Sequence, residues 1–252
     1  MIWWMVSAAH AEEAENNFSF SNILLHSGWI AWGVLITLTL MGLGSFVSAI
    51  DRQIAFTRGR RQSMMLAAEI VGALRQNDIS AAKKITMDDR FKVSYLGALL
   101  RAGLTELEER PDSFGIGAAK RAVGKTAVEE TAKMRRGFTL MATTASSAPF
   151  VGLFGTSVGV INAFQGMAGG GAGLATVSVG ISEALVTTAY GILIAVLAVW
   201  LYNYFNGLIE KVTEELTTSE ADFLNWAEKM VHDRNFPRSA SGLSDKTAAA
   251  GK

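Results

Sequence analysis

The 73 residues from Gly137 to Ile209 carry a single charged side chain, Glu183. A helix that spans a bilayer needs about 20 apolar residues, because the hydrocarbon layer is about 30 Å thick and each residue rises 1.5 Å. The window is therefore too long for one span. The cluster Gly166-Met-Ala-Gly-Gly-Gly-Ala-Gly173 divides it, since each glycine costs a helix about 1 kcal/mol relative to alanine and a run of them reads as a turn. Two spans result, residues 137–164 and 177–204, joined by a glycine-rich loop at 165–176. A buried soluble hairpin is rejected, because two such long uncharged helices would have no solvated face.

A third apolar stretch lies upstream. Trp29–Ile50 supplies 22 uncharged residues, with Trp29 and Trp32 at one end as in an aromatic belt. Composition agrees: half the residues are apolar and 18% are charged, against about 25% charged in soluble domains. Net charge is zero, so no nucleic-acid footprint is present. The chain has no cysteine, and its three histidines, His10, His26 and His232, are far apart. No metal site, cofactor or catalytic residue is assigned, and the chain is not read as an enzyme.

Basic residues set the orientation. The segment before the first span holds Glu12, Glu13 and Glu15 and no Lys or Arg. Arg52, Arg58, Arg60 and Arg61 come after that span, and Lys120, Arg121, Lys125, Lys133, Arg135 and Arg136 precede the second. The positive-inside rule then places residues 1–28 outside, and residues 51–136 and the C-terminus in the cytoplasm. Met1–Ala11, MIWWMVSAAHA, reads either as a leader cleaved after Ala11 or as an interfacial segment.

The whole chain reads as all-α, with long helices extending into the cytoplasm. In 51–136, Ser63–Gln76 and Phe91–Arg110 show apolar residues at helical spacing. Asn77-Asp78 separates the first helix from the next, and Asp112 or Ser113 caps a helix expected to run straight into the second span. A charged amphipathic helix occupies 205–233, and a polar tail 234–252. Ala119-Lys-Arg-Ala-Val-Gly124-Lys125-Thr126 is one residue from a phosphate-loop pattern, but no strand precedes it.

Glu183 is the sharpest candidate for function. An ionisable side chain in lipid is costly and marks ion pathways. On a helical projection Thr187, Thr188, Gly191, Ala184, Ala195 and Ala198 fall within about 140° on one side of it, and Leu185, Ile192, Leu193, Val196 and Trp200 on the other. The second span has a matching stripe: Gly152, Gly155 and Gly159 lie near Thr156, and Gly155-x-x-x-Gly159 is a close-packing motif. Pro149 is expected to kink this helix and release a carbonyl. From the residues alone, Glu183 with the hydroxyls of Thr187 and Thr188 suits an ion pathway, to which Thr156 adds a polar group at mid-membrane depth; or Glu183 reaches water at the outer end of its helix, or makes only an interhelical hydrogen bond in a non-conducting scaffold.

The segments Ala148-Pro-Phe-Val-Gly-Leu-Phe-Gly-Thr156-Ser-Val-Gly159 and Gly180-Ile-Ser-Glu183-Ala-Leu-Val-Thr-Thr188-Ala-Tyr-Gly191 resemble the second- and third-span signatures of the MotA/TolQ/ExbB proton-channel family. Three spans rather than four make the chain more similar to ExbB and TolQ than to MotA. The resemblance implies an inner-membrane motor subunit that converts the proton-motive force into work across the envelope. TonB-dependent transport is the leading expectation, and Tol–Pal or gliding-type work the alternative. It further implies a homo-pentamer around a dimer of single-span ExbD/TolR-like partners, a TonB/TolA-like protein beyond them, and Glu183, Thr156 and Thr188 at the lumen. The family commonly has a proline near the inner end of the third span where this chain has Leu197.

Overall fold

The computed structural model describes residues 29–168 and 174–235, and these are helical throughout apart from short connections. The helices are α1 (Trp29–Arg75), α2 (Ile79–Thr86), α3 (Tyr95–Glu109), α4 (Ser113–Met134), α5 (Phe138–Ala168) and α6 (Leu174–Asn235), with a 3-10 turn at Asp89–Phe91. The all-α fold with three helices long and apolar enough to cross a membrane agrees with the sequence reading. The leader question, residues 169–173 of the glycine-rich loop and the tail from 236 lie outside the described residues.

Two compact units result. One holds the described residues up to Asp51 together with Gly137–Asn206, and the other holds Arg52–Arg136 with the residues from Gly207. They are termed the span unit and the bundle unit. Helices α1 and α6 contribute to both.

In the bundle unit the core is built from large side chains. Leu66 of α1, Phe91 just before α3, Leu99, Leu104 and Leu107 of α3, Val123 of α4, and Leu216 and Phe223 of α6 are buried in one cluster. Hydroxyls and caps complete it. Ser63 and Ser94 share a buried hydrogen bond of 3.0 Å, and the Trp226 indole donates to the Leu74 carbonyl at 2.8 Å. The Tyr95 hydroxyl donates to Glu215 at 2.5 Å. Burial, and then the Glu215 carboxylate, hold the Tyr95 phenol well above its usual range.

Three expectations are corrected here. The helix anticipated over Phe91–Arg110 begins only at Tyr95, because the Ser94 hydroxyl accepts from the Gly97 N–H at 2.9 Å and caps it there. Phe91 belongs instead to a 3-10 turn capped by Asp88. The helix capped by Asp112 does not continue into the second span. It stops at Met134, and Gly137 adopts φ +82°, a left-handed conformation that only glycine takes without strain, before α5 begins. The glycine-rich turn begins later than its first glycine, since Gly166, Met167 and Ala168 still belong to α5. The break at Asn77 is present, with φ +54°, as is the Asp112 cap, which accepts from Gly115 N–H at 2.8 Å. Past Ile50, α1 continues unbroken to Arg75.

Candidate functional site

In the span unit, α5 and α6 run antiparallel with their small residues interleaved. A methyl group added at Gly152 would meet the Thr187 carbonyl oxygen at 2.9 Å and the Thr188 Cα at 3.0 Å. One added at Gly191 would meet the Ala148 carbonyl oxygen at 2.7 Å and the Gly152 Cα at 3.1 Å. The register continues outward through Gly155 against Thr187, Gly159 against Ala184, and Gly180 against Ala163. The backbones approach this closely only because no Cβ intervenes, which is how helices associate where lipid removes the hydrophobic drive. Pro149 stands inside α5, which is helical on both sides of it.

Helix α1 lies against this pair. Ser45 donates to Thr144 at 3.0 Å in a buried contact. Gly155 also faces Val34, and Gly42 faces Ile194. The Thr39 hydroxyl donates to the Leu35 carbonyl at 2.7 Å, so in its contact with Tyr190 at 3.2 Å the phenol is the donor. The Ser45–Thr144 and Thr39–Tyr190 contacts were not among the sequence candidates. Their signal was a hydroxyl within the span on each helix, which periodicity does not pair.

The candidate residues separate into two groups. Thr156 and Thr188 meet across the seam, with hydroxyl oxygens 3.0 Å apart. Thr156 donates to the Leu153 carbonyl at 2.8 Å, so its single proton is committed and Thr188 donates to it. Both side chains remain partly exposed in the protomer, and their spare lone pairs can accept from water or a proton carrier. Thr187 is placed differently. It is 1% exposed, and its hydroxyl donates to the Ala184 carbonyl at 2.7 Å with the Gly152 carbonyl 3.4 Å away. Its proton is spent within α6, and the side chain meets α5 by packing against Gly155.

Glu183 is partly buried, beside Ala184 where Gly159 packs. It lies five residues from Thr188, about 7.5 Å along the helix axis. The bulky face of α6 is turned away from the pair: Leu185, Leu193 and Trp200 are exposed at 61, 53 and 67%. The phosphate-loop look-alike is excluded by its setting, since Ala119–Thr126 lies in the middle of α4 and Lys125 pairs with Glu129 one turn on.

Together these features define a class: a polytopic α-helical membrane protein in which Glu183 and the Thr156–Thr188 hydroxyl pair stand on closely packed apolar helices. The comparisons narrow it. The pattern of the MotA/TolQ/ExbB proton channel family matches residues 92–218, half of the chain. The chain belongs to that family. Similar proteins include the Tol-Pal system protein TolQ of Pseudomonas aeruginosa, 36% identical over 142 residues that cover 53% of this chain and 61% of that protein. The biopolymer transport protein ExbB of Xanthomonas campestris pv. campestris is 28% identical over 201 residues, 77% of this chain and 79% of that one. ExbB of Salmonella typhimurium is 38% identical over 120 residues, 47% of each chain. The match to TolQ thus spans about three fifths of that protein's length.

Proposed function

We propose that this chain is the channel-forming subunit of an ExbB/TolQ-type motor in a bacterial inner membrane, and that its work is TonB-dependent transport. Several copies, five by family resemblance, surround a dimer of single-span ExbD/TolR-like partners, and a TonB/TolA-like protein carries the work outward. Residues 1–28 lie on the outer side, and residues 51–136 and the C-terminal helix in the cytoplasm, a reading supported by the basic residues flanking the spans. The role is that of a transport motor part rather than an enzyme.

One observation carries this reading: Glu183, the one charged residue in the sequence from 137 to 209, stands on a helix whose seam with α5 holds the Thr156–Thr188 hydroxyl pair. A carboxyl exchanges protons with whatever passes it, and paired hydroxyls both donate and accept, so the set can hand a proton along a narrow passage. Thr187 takes the packing role, and Gly152, Gly155, Gly159 and Gly191 hold the two helices in register.

The test is Glu183→Gln, which keeps size and hydrogen bonding but binds no proton at working pH. Proton flux through the reconstituted complex should fall to background while the protein still inserts and assembles. Undiminished flux would leave Glu183 a scaffold residue and remove the ion pathway.

A second reading, Tol–Pal work, is favoured by the similarity to TolQ. Deleting the gene separates the two: lost TonB-dependent uptake supports the first, and a leaky outer membrane with uptake intact supports the second.

A further inference from the structure

The bundle unit exposes two stripes of opposite charge on different helices. On α1, Arg58, Arg61, Met65, Ala68 and Arg75 are all exposed and recur at three to seven residues, which places them on one face, opposite the buried Leu66 and Ile70. On α6, Glu210, Glu214, Thr218, Ala221 and Glu228 are exposed in the same way, opposite the buried Val212, Leu216 and Phe223. Among the described residues, Arg58, Arg61, Arg75, Glu214 and Glu228 enter no ion pair, while other surface charges such as Lys83 with Glu108 and Arg90 with Glu69 do. The α1 stripe is also partly apolar, with Met65 exposed at 44% and neighbouring Met64 at 66%.

The spacings match. Arg61 and Glu214, Ala68 and Ala221, and Arg75 and Glu228 are each 153 positions apart in sequence. Within one protomer, α1 and α6 already stand at that height relative to each other, since Arg60, Met64 and Ala67 line one groove with Lys211, Glu214 and Thr218. Copies related by rotation about an axis along these helices keep equal heights. An α1 stripe of one copy would then meet the α6 stripe of the next with arginine facing glutamate at both ends and alanine facing alanine between them.

We propose that the bundle unit binds a second copy of this chain head to tail, the basic α1 face of one against the acidic α6 face of the next. Two different faces meet, so the contact is heterologous and propagates until a ring closes. Opposite charge at the rim sets partner choice and register, and the small alanines between allow close helix approach. This rests on the reading of the chain as one of several identical copies, and it adds which surfaces join them.

The chain has no cysteine, so disulfide trapping is clean. Full-length protein carrying both Ala68→Cys and Ala221→Cys, oxidised in its membrane, should give a ladder of covalent dimers and higher multiples, and each single variant should give none. Arg61→Glu or Glu214→Arg on that background should abolish the ladder, and the two reversals together should restore it. An assembly of unchanged size without the ladder, a crosslink confined to one chain, or dimers from Ala68→Cys alone would overturn the contact. A chain that sediments as a single copy would overturn the multi-copy reading itself, whatever the outcome for proton flux.

Discussion

The span unit and the bundle unit are made from the same chain, and in part from the same two helices, yet the seam between α5 and α6 is built from different residues than the bundle core. In the bundle unit Leu99, Leu104, Leu107 and Phe223 are buried, and charged residues cover the outside. In the span unit Ala148, Ala184, Ala195 and Thr187 are buried, while Phe150, Leu185 and Trp200 face outward. Water explains the first pattern, because burying large apolar surface away from it is the main drive to fold. Inside a bilayer the surroundings are as apolar as leucine, so that drive vanishes and close backbone approach decides instead. At the α5–α6 seam size sorts inside from outside, although Leu38 and Met141 are also fully buried elsewhere in the span unit; in the bundle unit polarity does the sorting.

Substitutions sharpen the contrast. The largest effect is expected from Leu104→Ala, fully buried in the bundle core, at about 2–5 kcal/mol; a comparable loss from a chemical-denaturation series would support a conventional core there. Next comes Gly152→Ala. Its added methyl meets backbone rather than side-chain tips, and overpacking of this kind costs about 1–3 kcal/mol, read as a lowered unfolding temperature in detergent. By contrast Gly207→Ala, with nothing within 4 Å of the new methyl, should raise stability, by up to about 1 kcal/mol from helix propensity. If both glycines behaved alike, the close-approach explanation would be wrong.

Removing the hydroxyl pair tests a smaller term. Thr188→Val should cost only about 0.6 kcal/mol, the average for interhelical hydrogen bonds in membranes, yet lower proton flux far more than that figure suggests. Thr187→Val, whose hydroxyl serves packing, should do the reverse, and equal flux loss in both would erase the division between them. The smallest effect is at the α4 cap. The Gly115 N–H holds the Asp112 carboxyl below its ordinary 3.8, so the stabilisation is complete above that value and is lost as pH falls through the lower folded one. Asp112→Asn and the parent should therefore differ slightly at neutral pH and converge in acid, as thermal unfolding across pH would show.

Much of this was legible in the sequence, for identifiable reasons. The three apolar stretches announce themselves by length, and Asp112 announces a cap through its residue type and its place after Pro111. The small-residue face of α6 was also readable, but periodicity cannot say what such a face meets: most of it packs against α5, and Thr156 and Thr188 lie at the edge of that contact. The break at Gly137 does carry a signal, a glycine directly after the basic pair Arg135-Arg136, the usual ending of a helix, but the apolar run that starts there masks it. The late start of α3 was hidden because Phe91 continues the apolar spacing of the helix beyond it, although Ser94 intervenes as its cap.

The close seam between α5 and α6 limits how such a motor can step. Where Gly152 and Gly191 touch backbone to backbone, no pliant side chain lies between the two rods to absorb a slide, and tightly packed contacts switch between discrete arrangements rather than deform gradually. The pair is expected to tilt or turn as a single plank. Mechanical play belongs at the edges of that plank, where it borders whatever stands beside it in the membrane, and a blockage engineered at those edges should stall the machine while leaving every protomer well folded.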